Sequence, residues 1–326
     1  MTAPQATVVM TTKNRKDDLR VALTSCQRQT VPLEVVVIDD GSTDDTSEMV
    51  RREFPQMRLV TCTESQGLIA RRNQGAELAT SPFVFSLDDD AEFVSPHTVE
   101  QTLAEFTDPR IAAVAMPFCN VRQGPEVLQR APSTDTVYVC ESYIGTAHAL
   151  RRDVFLRLGG YRALLVHQNE EGDFTIRLLN AGYVVRVGLA DPLHHYESPR
   201  RDFRGIDAHP RRNDVLFAMH NVPWPWLPVH LVGTTFRGLW FALRHGRSAR
   251  LRWSLEGSLR GWRDAWRLRQ GRQPVRPAIY RLSRHLRRHG PLPWDAVVPH
   301  LPPLETQARS ESPPVRMVNM ATVSQE

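Results

Sequence analysis

The chain has 326 residues, 41% of them hydrophobic, which is enough for one large domain with a buried core and an additional segment. It contains no run of about eighteen charge-free apolar residues, which argues against a membrane-spanning helix. Its four cysteines form no CxxC pair, which argues against a zinc site or a disulfide framework, and no N-terminal signal peptide is recognisable. We therefore expect a cytoplasmic protein with reduced thiols.

The net charge of +5 is unevenly distributed along the chain. Residues 237–290 contain fifteen arginines and only two acidic residues, Glu256 and Asp264, so the remainder of the chain is acidic overall. The two lysines, Lys13 and Lys16, lie outside this segment. Guanidinium groups form paired hydrogen bonds with phosphate oxygens, so the segment is suited to phosphate groups.

Strand and helix patterns alternate through the first half of the chain. Apolar runs predict strands at 7–11, 34–39, 58–62 and 83–87, and helical periodicity predicts helices at 16–28, 43–54 and 68–79. Ser42 and Asp45 have the spacing of a capping box at the second helix. Further strands are predicted at 112–116 and 183–188, with helices at 151–158 and 171–181. This order predicts an α/β fold with a mostly parallel central sheet flanked by helices.

The character of the chain changes after residue 221. Apolar residues recur at helical spacing at Leu251, Leu255, Leu259, Trp262 and Trp266, with arginines off that stripe. The sequence therefore predicts a domain over 1–221, an Arg- and Trp-rich helical appendage over 222–290, and a disordered tail over 291–326.

Two acidic clusters follow predicted strands. Asp39 and Asp40 follow the second strand, and Asp88, Asp89 and Asp90 follow the fourth. Ligands of such sheets bind beyond the carboxyl ends of the strands, so both clusters are expected at the same edge. The first cluster can accept hydrogen bonds from a ribose or another sugar hydroxyl, and the second has the hard oxygen ligands that Mg²⁺ or Mn²⁺ prefers. The alternatives are an acidic turn and a solvated acidic loop.

Other polar groups have two interpretations each. Glu170, Glu171 and Asp173 begin a predicted helix, where they supply a general base or merely stabilise the helix N-terminus. His195 follows a predicted strand and is a metal ligand or a packed histidine. Arg71 and Arg212 are diphosphate ligands or solvated side chains.

Together these motifs resemble glycosyltransferase family 2, which has the GT-A fold. The matching stretches cover about two thirds of the chain and are, in order, Val8–Arg15, Val35–Thr46, Gly67 with Ala70–Gly75, Ser86–Phe93, Gly159–Tyr161, Glu170–Asp173 and His195.

The resemblance implies an inverting, metal-dependent transfer of a sugar from a UDP-, dTDP- or GDP-sugar to an acceptor hydroxyl, in bacterial-type polysaccharide, glycolipid or glycoconjugate synthesis. It implies that residues 1–117 bind the nucleotide sugar and residues 118–221 the acceptor. The implied metal ligands are Asp88, Asp90 and His195, and the implied donor-binding residues are Thr11, Arg15, Asp39, Asp40, Gly67, Arg71, Asn73, Asp88, Asp89 and Arg212.

The implied catalytic carboxylates are Glu170, Glu171 and Asp173. This chain has Glu171 where the family usually has Asp, which leaves open whether Glu171 or Asp173 is the base.

Three rival functions fit less well. A sugar-phosphate nucleotidylyltransferase would have a Gly-rich loop after the first strand, but residues 11–15 contain no glycine. A non-catalytic nucleotide-sugar binding protein would have lost the carboxylates. A nucleic-acid binder is suggested only by the Arg-rich segment, and no nucleic acid is expected.

The last expectation concerns a membrane surface. Residues 222–243 are apolar but interrupted by prolines and Arg237, which favours a position on a surface over a span. Trp224 and Trp226 are of the type found at lipid headgroups. Residues 223–270 are therefore expected to bind an anionic membrane on its inner face and to present either a saccharide or a lipid-linked acceptor. The alternative is that these helices pack on the catalytic domain and that their arginines are simply solvated.

Overall fold

A computed structural model describes residues 3–197, 203–244 and 248–304. The strands are β1 (Ala6–Thr12), β2 (Leu33–Asp39), β3 (Arg58–Thr61), β4 (Phe83–Ser86), β5 (Ala91–Phe93), β6 (Ile111–Ala115), β7 (Phe118–Asn120), β8 (Val127–Leu128), β9 (Tyr138–Cys140), β10 (His148–Arg151), β11 (Val184–Val187), β12 (Leu193–His195) and β13 (Leu292–Pro293). The helices are α1 (Lys16–Gln27), α2 (Thr46–Glu53), α3 (Leu68–Leu78), α4 (Thr98–Ala104), α5 (Arg152–Arg157), α6 (Glu170–Asn180), α7 (Phe203–Asn221), α8 (Trp226–Arg244), α9 (Ser248–Arg267), α10 (Pro277–His289) and α11 (Trp294–Val297).

The central sheet has nine strands in the order β13-β9-β11-β6-β10-β4-β1-β2-β3. Pairing is parallel between β1, β2, β3 and β4 and between β6 and β11. Strand β10 runs antiparallel between β4 and β6, and β9 and β13 are also antiparallel to their neighbours. The expected α/β class with a helix-flanked sheet is confirmed, although the parallel pairing is confined to these two groups.

A smaller sheet, in the order β5-β12-β7-β8, lies beyond the carboxyl end of β4. In it, His195 of β12 lies opposite Ala91 of β5 and beside Asn120 of β7. This pairing brings a histidine that is about a hundred residues away in sequence next to the acidic loop that follows β4.

Helix α2 begins later than expected. It starts at Thr46, and Asp45 makes no side-chain cap hydrogen bond. Ser42 is used elsewhere: its N–H donates to Asp39 Oδ1 (2.8 Å), and its Oγ accepts from the Asn14 N–H (2.9 Å). The capping-box prediction is wrong because Ser42 forms its hydrogen bonds with Asp39 at the end of β2 and with Asn14 in the turn between β1 and α1.

The tail prediction is wrong for the residues from 292 to 300. Leu292 of β13 pairs with Val139 of β9 at the edge of the central sheet, α11 follows, and Val297 is fully buried. Residues 305–326 lie outside the described residues, so the rest of that prediction stays a prediction.

Helix α9 packs closely on α7 through small residues. A side chain at Gly257 would come within 2.2 Å of the Ala208 carbonyl oxygen, and one at Gly261 within 2.9 Å of the Arg212 carbonyl oxygen. Ala265 completes this buried face. Because the small residues face inward, the apolar stripe of α9 is turned outward, and Leu259 is 70% exposed.

Candidate active site

Three side chains converge where β4 and β12 end. One ligand atom each from Asp88, Asp90 and His195 lies within 4.8 Å of the others. His195 Nε2 is 3.4 Å from Asp90 Oδ1, and Asp90 is buried. Burial disfavours the charged imidazole, but Asp90 and Asp88 outweigh it and raise the pKa of His195. Two carboxylates and an imidazole in this arrangement could hold a divalent cation.

Asn120, which the sequence analysis did not single out, orients His195. Its Oδ1 is 2.8 Å from His195 Nδ1, so the imidazole donates through Nδ1 and presents Nε2 to the two carboxylates. Metal-binding histidines usually have such a partner at the second ring nitrogen. Asn120 could have been found only from the pairing of β7 with β12.

Arg15 binds two carboxylates of the acidic loop that follows β4. Its Nη1 donates to Asp89 Oδ1 (2.8 Å) and to Asp90 Oδ2 (3.0 Å). Burial raises the pKa of Asp89 to about 7, although the charge of Arg15 opposes it. The predicted donor-binding residues Arg15 and Asp89 therefore lie beside Asp88, Asp90 and His195, the candidate metal ligands, which we call the metal triplet.

Arg72, and not its neighbour Arg71, connects this loop to α6. The buried Arg72 guanidinium donates to Asp88 Oδ1 (2.7 Å) and to Glu170 Oε1 (3.0 Å). The acidic loop after β4 and the carboxylates that begin α6 thus belong to one charged network.

Glu171 lies beside this network and is half-buried. Burial raises its pKa to about 8, and the negative charge of Glu170 adds to the rise, while Arg72 opposes it. A side chain at Gly145 would come within 2.7 Å of Glu171 Oε1 and within 2.6 Å of Arg72 Nη1. A side chain at 145 would therefore displace the ends of Glu171 and Arg72, a close approach that the sequence analysis missed.

Asp173 has a different environment, although it is only two residues further on. It is 1% exposed, and it forms ion pairs with Arg162 and with Arg177 (3.2 Å). Asn221 Nδ2 donates to Asp173 Oδ1 (2.7 Å). Burial would raise the pKa of Asp173, but the two arginines outweigh it and lower the pKa.

Asp40 and Arg71 form a second buried cluster. Arg71 Nε donates to Asp40 Oδ1 (2.6 Å), and the N–H of Gly67 donates to Asp40 Oδ2 (2.9 Å). Gly67 has φ +86° and directly precedes α3. Ser65 also donates to Asp40. These contacts fix the loop before α3 at the carboxyl edge of the sheet.

The remaining predicted donor-binding residues are spread around this edge. Thr11 and Asp39 lie at the ends of β1 and β2. The Asn73 side chain exchanges two hydrogen bonds with the Tyr161 backbone (2.7 and 2.9 Å). Arg212 does not join them, because its Nε donates to Asp264 of α9 (2.7 Å).

Residues 7–159 match the family described as glycosyl transferase family 2. The O-antigen chain rhamnosyltransferase WbaN of Salmonella anatum is 26% identical over 268 residues, which is 68% of this chain and 83% of that protein. A validoxylamine A glucosyltransferase of Streptomyces hygroscopicus is 37% identical over 122 residues, which is 36% of this chain and 29% of that protein.

Among solved structures, the mannosyltransferase PcManGT of Pyrobaculum calidifontis, in complex with GDP-Man and Mn²⁺, superposes with a TM-score of 0.55 at 20% identity. The match covers 83% of this chain and 84% of that one, and it shows the common fold. The chain has the GT-A fold, and its residues 7–159 are similar to glycosyltransferase family 2.

Proposed function

We propose that this glycosyltransferase moves a sugar from a nucleoside-diphosphate sugar to an acceptor hydroxyl with inversion at the anomeric carbon. The observation that carries the proposal is the contact of Arg72 with both Asp88 and Glu170. This contact sets a candidate metal and diphosphate site beside the start of α6, where the neighbouring Glu171 has a raised pKa. These are the two centres that such a displacement needs.

The donor would bind at the carboxyl edge of β1, β2 and β4. Thr11, Asp39 and the Asp40-held loop at Gly67 line this edge and are proposed to contact the nucleoside. Asp88, Asp90 and His195 fit a divalent cation by their donor set and convergence, and Mn²⁺ accepts both carboxylate and imidazole. When bound, such a cation neutralises charge on the leaving diphosphate. The mannosyltransferase that contains Mn²⁺ and GDP-Man has the same fold and supports this part of the proposal.

Glu171 is proposed as the general base. Its pKa of about 8 suits a group that accepts a proton near neutral pH, and its position beside Arg72 and Gly145 is next to the metal triplet. Asp173 is proposed as a structural residue, because both of its oxygens are bonded in a buried ion-pair cluster. A single displacement assisted by Glu171 inverts the anomeric configuration.

The test is a screen of UDP-, dTDP- and GDP-sugars for release of the nucleoside diphosphate, with Mn²⁺, with Mg²⁺ and with EDTA. We expect one donor class to react only with a divalent cation, and Asp90→Asn to abolish the reaction while the protein remains folded. Undiminished turnover of Asp90→Asn in EDTA would overturn the metal assignment.

We also propose that α8 and α9 bind an anionic membrane surface. Among the described residues, no helix combines the length and hydrophobicity needed to cross a bilayer. Yet the outer face of α8 carries large apolar side chains that are mostly exposed: Val229 is 74% exposed, Phe236 68% and Trp240 66%. Exposed apolar faces of this extent mark an interaction surface.

The charges around this face support the proposal of a lipid bilayer. Trp262 Nε1 donates to Thr235 Oγ1 (3.3 Å), so the outward stripes of α8 and α9 are continuous. Arginines flank the apolar surface, with Arg260 and Arg263 on the outer side of α9 and Arg237 on α8. Each basic group near an anionic leaflet contributes about 1 kcal/mol.

Sedimentation with phosphatidylcholine vesicles, with and without phosphatidylglycerol, tests this surface at low and high salt. We expect binding to the anionic vesicles at low salt, and its loss in Phe236→Ser/Trp240→Ser. Val21→Ser, which removes an exposed apolar residue from α1, is the matched control. Equal recovery in the supernatant with both lipids, or a dimer that the double variant dissociates, would assign the face to something other than a membrane.

A further inference from the structure

A pocket of about 570 Å³ between α8 and α10 is lined by cationic side chains. Its lining is Arg237, Arg281, Arg284, His285, Arg287, Arg288 and His289. Arg237 comes from α8 and the others from the exposed face of α10. Among the described residues, this lining includes no carboxylate. The residues have no place in the donor site described above.

The nearby acids do not neutralise the pocket. Glu141 lies 3.8 Å from Arg287, and Asp214 lies 3.4 Å from Arg211 of α7. Two carboxylates at the margin face five arginines in the lining. The positive field extends into the protein: burial lowers the pKa of His230 to about 4, and Arg284, Arg237 and Arg287 all act in the same direction. Like charges held together in this way favour a multivalent anion.

The pocket adjoins the exposed apolar surface of α8, and contacts through α7 connect it to the start of α6. On α8, Arg237 directly follows the exposed Phe236. Arg211 packs against Gly238, where a side chain would come within 2.6 Å of its Cδ, and Arg211 pairs with Asp214.

Asp214 also contacts the residue that precedes α6. It accepts a hydrogen bond from Asn169 Nδ2 (3.0 Å), and Asn169 immediately precedes α6 and the candidate base Glu171. One chain of contacts therefore joins the pocket wall to the start of α6.

We propose that this pocket binds the phosphate or diphosphate headgroup of a lipid-linked acceptor, whose hydrocarbon chain lies on the exposed face of α8 and α9. The inference rests on the proposed transfer reaction and names the class of its acceptor. Arginine forms two-pronged hydrogen bonds with phosphate oxygens, and several guanidinium groups can hold a diphosphate together. A headgroup fixed here would direct the attached sugar towards Glu171.

The probe is geranylgeranyl diphosphate, measured by isothermal titration calorimetry against geranylgeraniol and inorganic pyrophosphate. We expect the diphosphate lipid to bind about tenfold or more tightly than either, because only it uses both the arginines and the apolar face. Arg284→Gln/Arg288→Gln should weaken binding of the diphosphate lipid by at least about tenfold. Arg284→Lys/Arg288→Lys should weaken it less, because lysine keeps the positive charge but lacks the paired N–H donors of the guanidinium group. Arg52→Gln, an exposed arginine on α2, is the matched control and should bind as the unaltered protein does.

Equal binding of geranylgeraniol and the diphosphate lipid, or unchanged binding by the double variant, overturns the proposal. Pyrophosphate binding as tight as that of the diphosphate lipid would leave a free-anion site and overturn the lipid assignment. Nucleotide-sugar binding, measured on the same unaltered protein, separates the two proposals. If no nucleotide sugar binds while the diphosphate lipid does, the transfer reaction fails and the anion site stands.

Discussion

Glu171 and Asp173 are two residues apart, yet neutralising each should have opposite effects on stability. Asp173→Asn leaves Arg162 and Arg177 buried beside a neutral amide. Removing one partner from a buried ion pair typically costs about 3–5 kcal/mol. Domains unfold with a free energy of about 5–15 kcal/mol, so this variant should lose a large fraction of its stability.

Glu171→Gln should keep or increase stability. The pKa of Glu171 is raised to about 8, which is above its value in an unfolded chain, so ionising it costs the folded state free energy. A neutral amide removes this cost, which grows as the pH rises above about 4.5 and is complete above about 8. Turnover, in contrast, should fall by about 10²–10⁴, the usual contribution of a general base. That fall corresponds to about 2.7–5.4 kcal/mol of transition-state stabilisation.

The assay combines urea unfolding at about pH 8.5 with the steady-state rate of nucleoside diphosphate release from the donor found in the screen. Donor affinity, measured by calorimetry, should be nearly unchanged in Glu171→Gln. A stable, donor-binding Asp173→Asn protein without turnover, beside an active Glu171→Gln protein, would show that the assignment of the base is reversed.

Three further outcomes are expected. Asn120→Ala should weaken Mn²⁺ binding by about 10–100-fold, measured by calorimetry, because His195 loses the partner that orients it. Burial lowers the pKa of His148 to about 3, so this residue is neutral in the folded protein and its own contribution to the free energy of unfolding should fall as the pH drops below about 6.5, by up to about 1.4 kcal/mol per unit. His148→Gln should lack this contribution, so the difference in stability between the variant and the unaltered protein should change with pH in urea titrations. Gly257→Ala should destabilise the protein because the added Cβ meets a backbone oxygen at 2.2 Å, whereas Gly233→Ala on α8, with nothing within 4 Å, should stabilise it by up to about 1 kcal/mol in the same thermal melts.

Much of the fold follows from local pattern. The run EVVVID predicts a buried strand, and β2 occupies Leu33–Asp39. The rule that ligands gather at the carboxyl ends of parallel strands placed Asp39 and Asp88 at one edge, and the structure has them there. These predictions succeed because strand periodicity and strand direction are properties of short segments.

The contacts that complete the site depend on distant segments, and the sequence did not reveal them. Arg71 and Arg72 are neighbours on α3, about 100° apart around the helix axis, so only the tertiary structure decides which one reaches Asp88. Asn120 meets His195 through strand pairing, and Gly145 meets Glu171 through a loop. None of these residues has a local signal of its role.

The outward stripe of α9 shows a similar limit. An apolar stripe ordinarily predicts the buried face of a helix. Here the opposite holds, because Gly257, Gly261 and Ala265 let α9 approach α7 so closely that larger side chains are excluded from the contact. The helical spacing of apolar residues alone could not show whether the stripe is buried within the protein or exposed to solvent.

The C-terminal helices contribute directly to the order of the candidate catalytic centre. Asn221, the last residue of α7, donates to Asp173 and accepts from Arg162, so the start of α6 is held by α7. Arg212 in turn ties α7 to Asp264 of α9. A membrane that binds the outer faces of α8 and α9 would therefore fix the orientation of α6 through rigid, hydrogen-bonded helices. Glu171 would then have a fixed orientation relative to an acceptor that arrives from the bilayer.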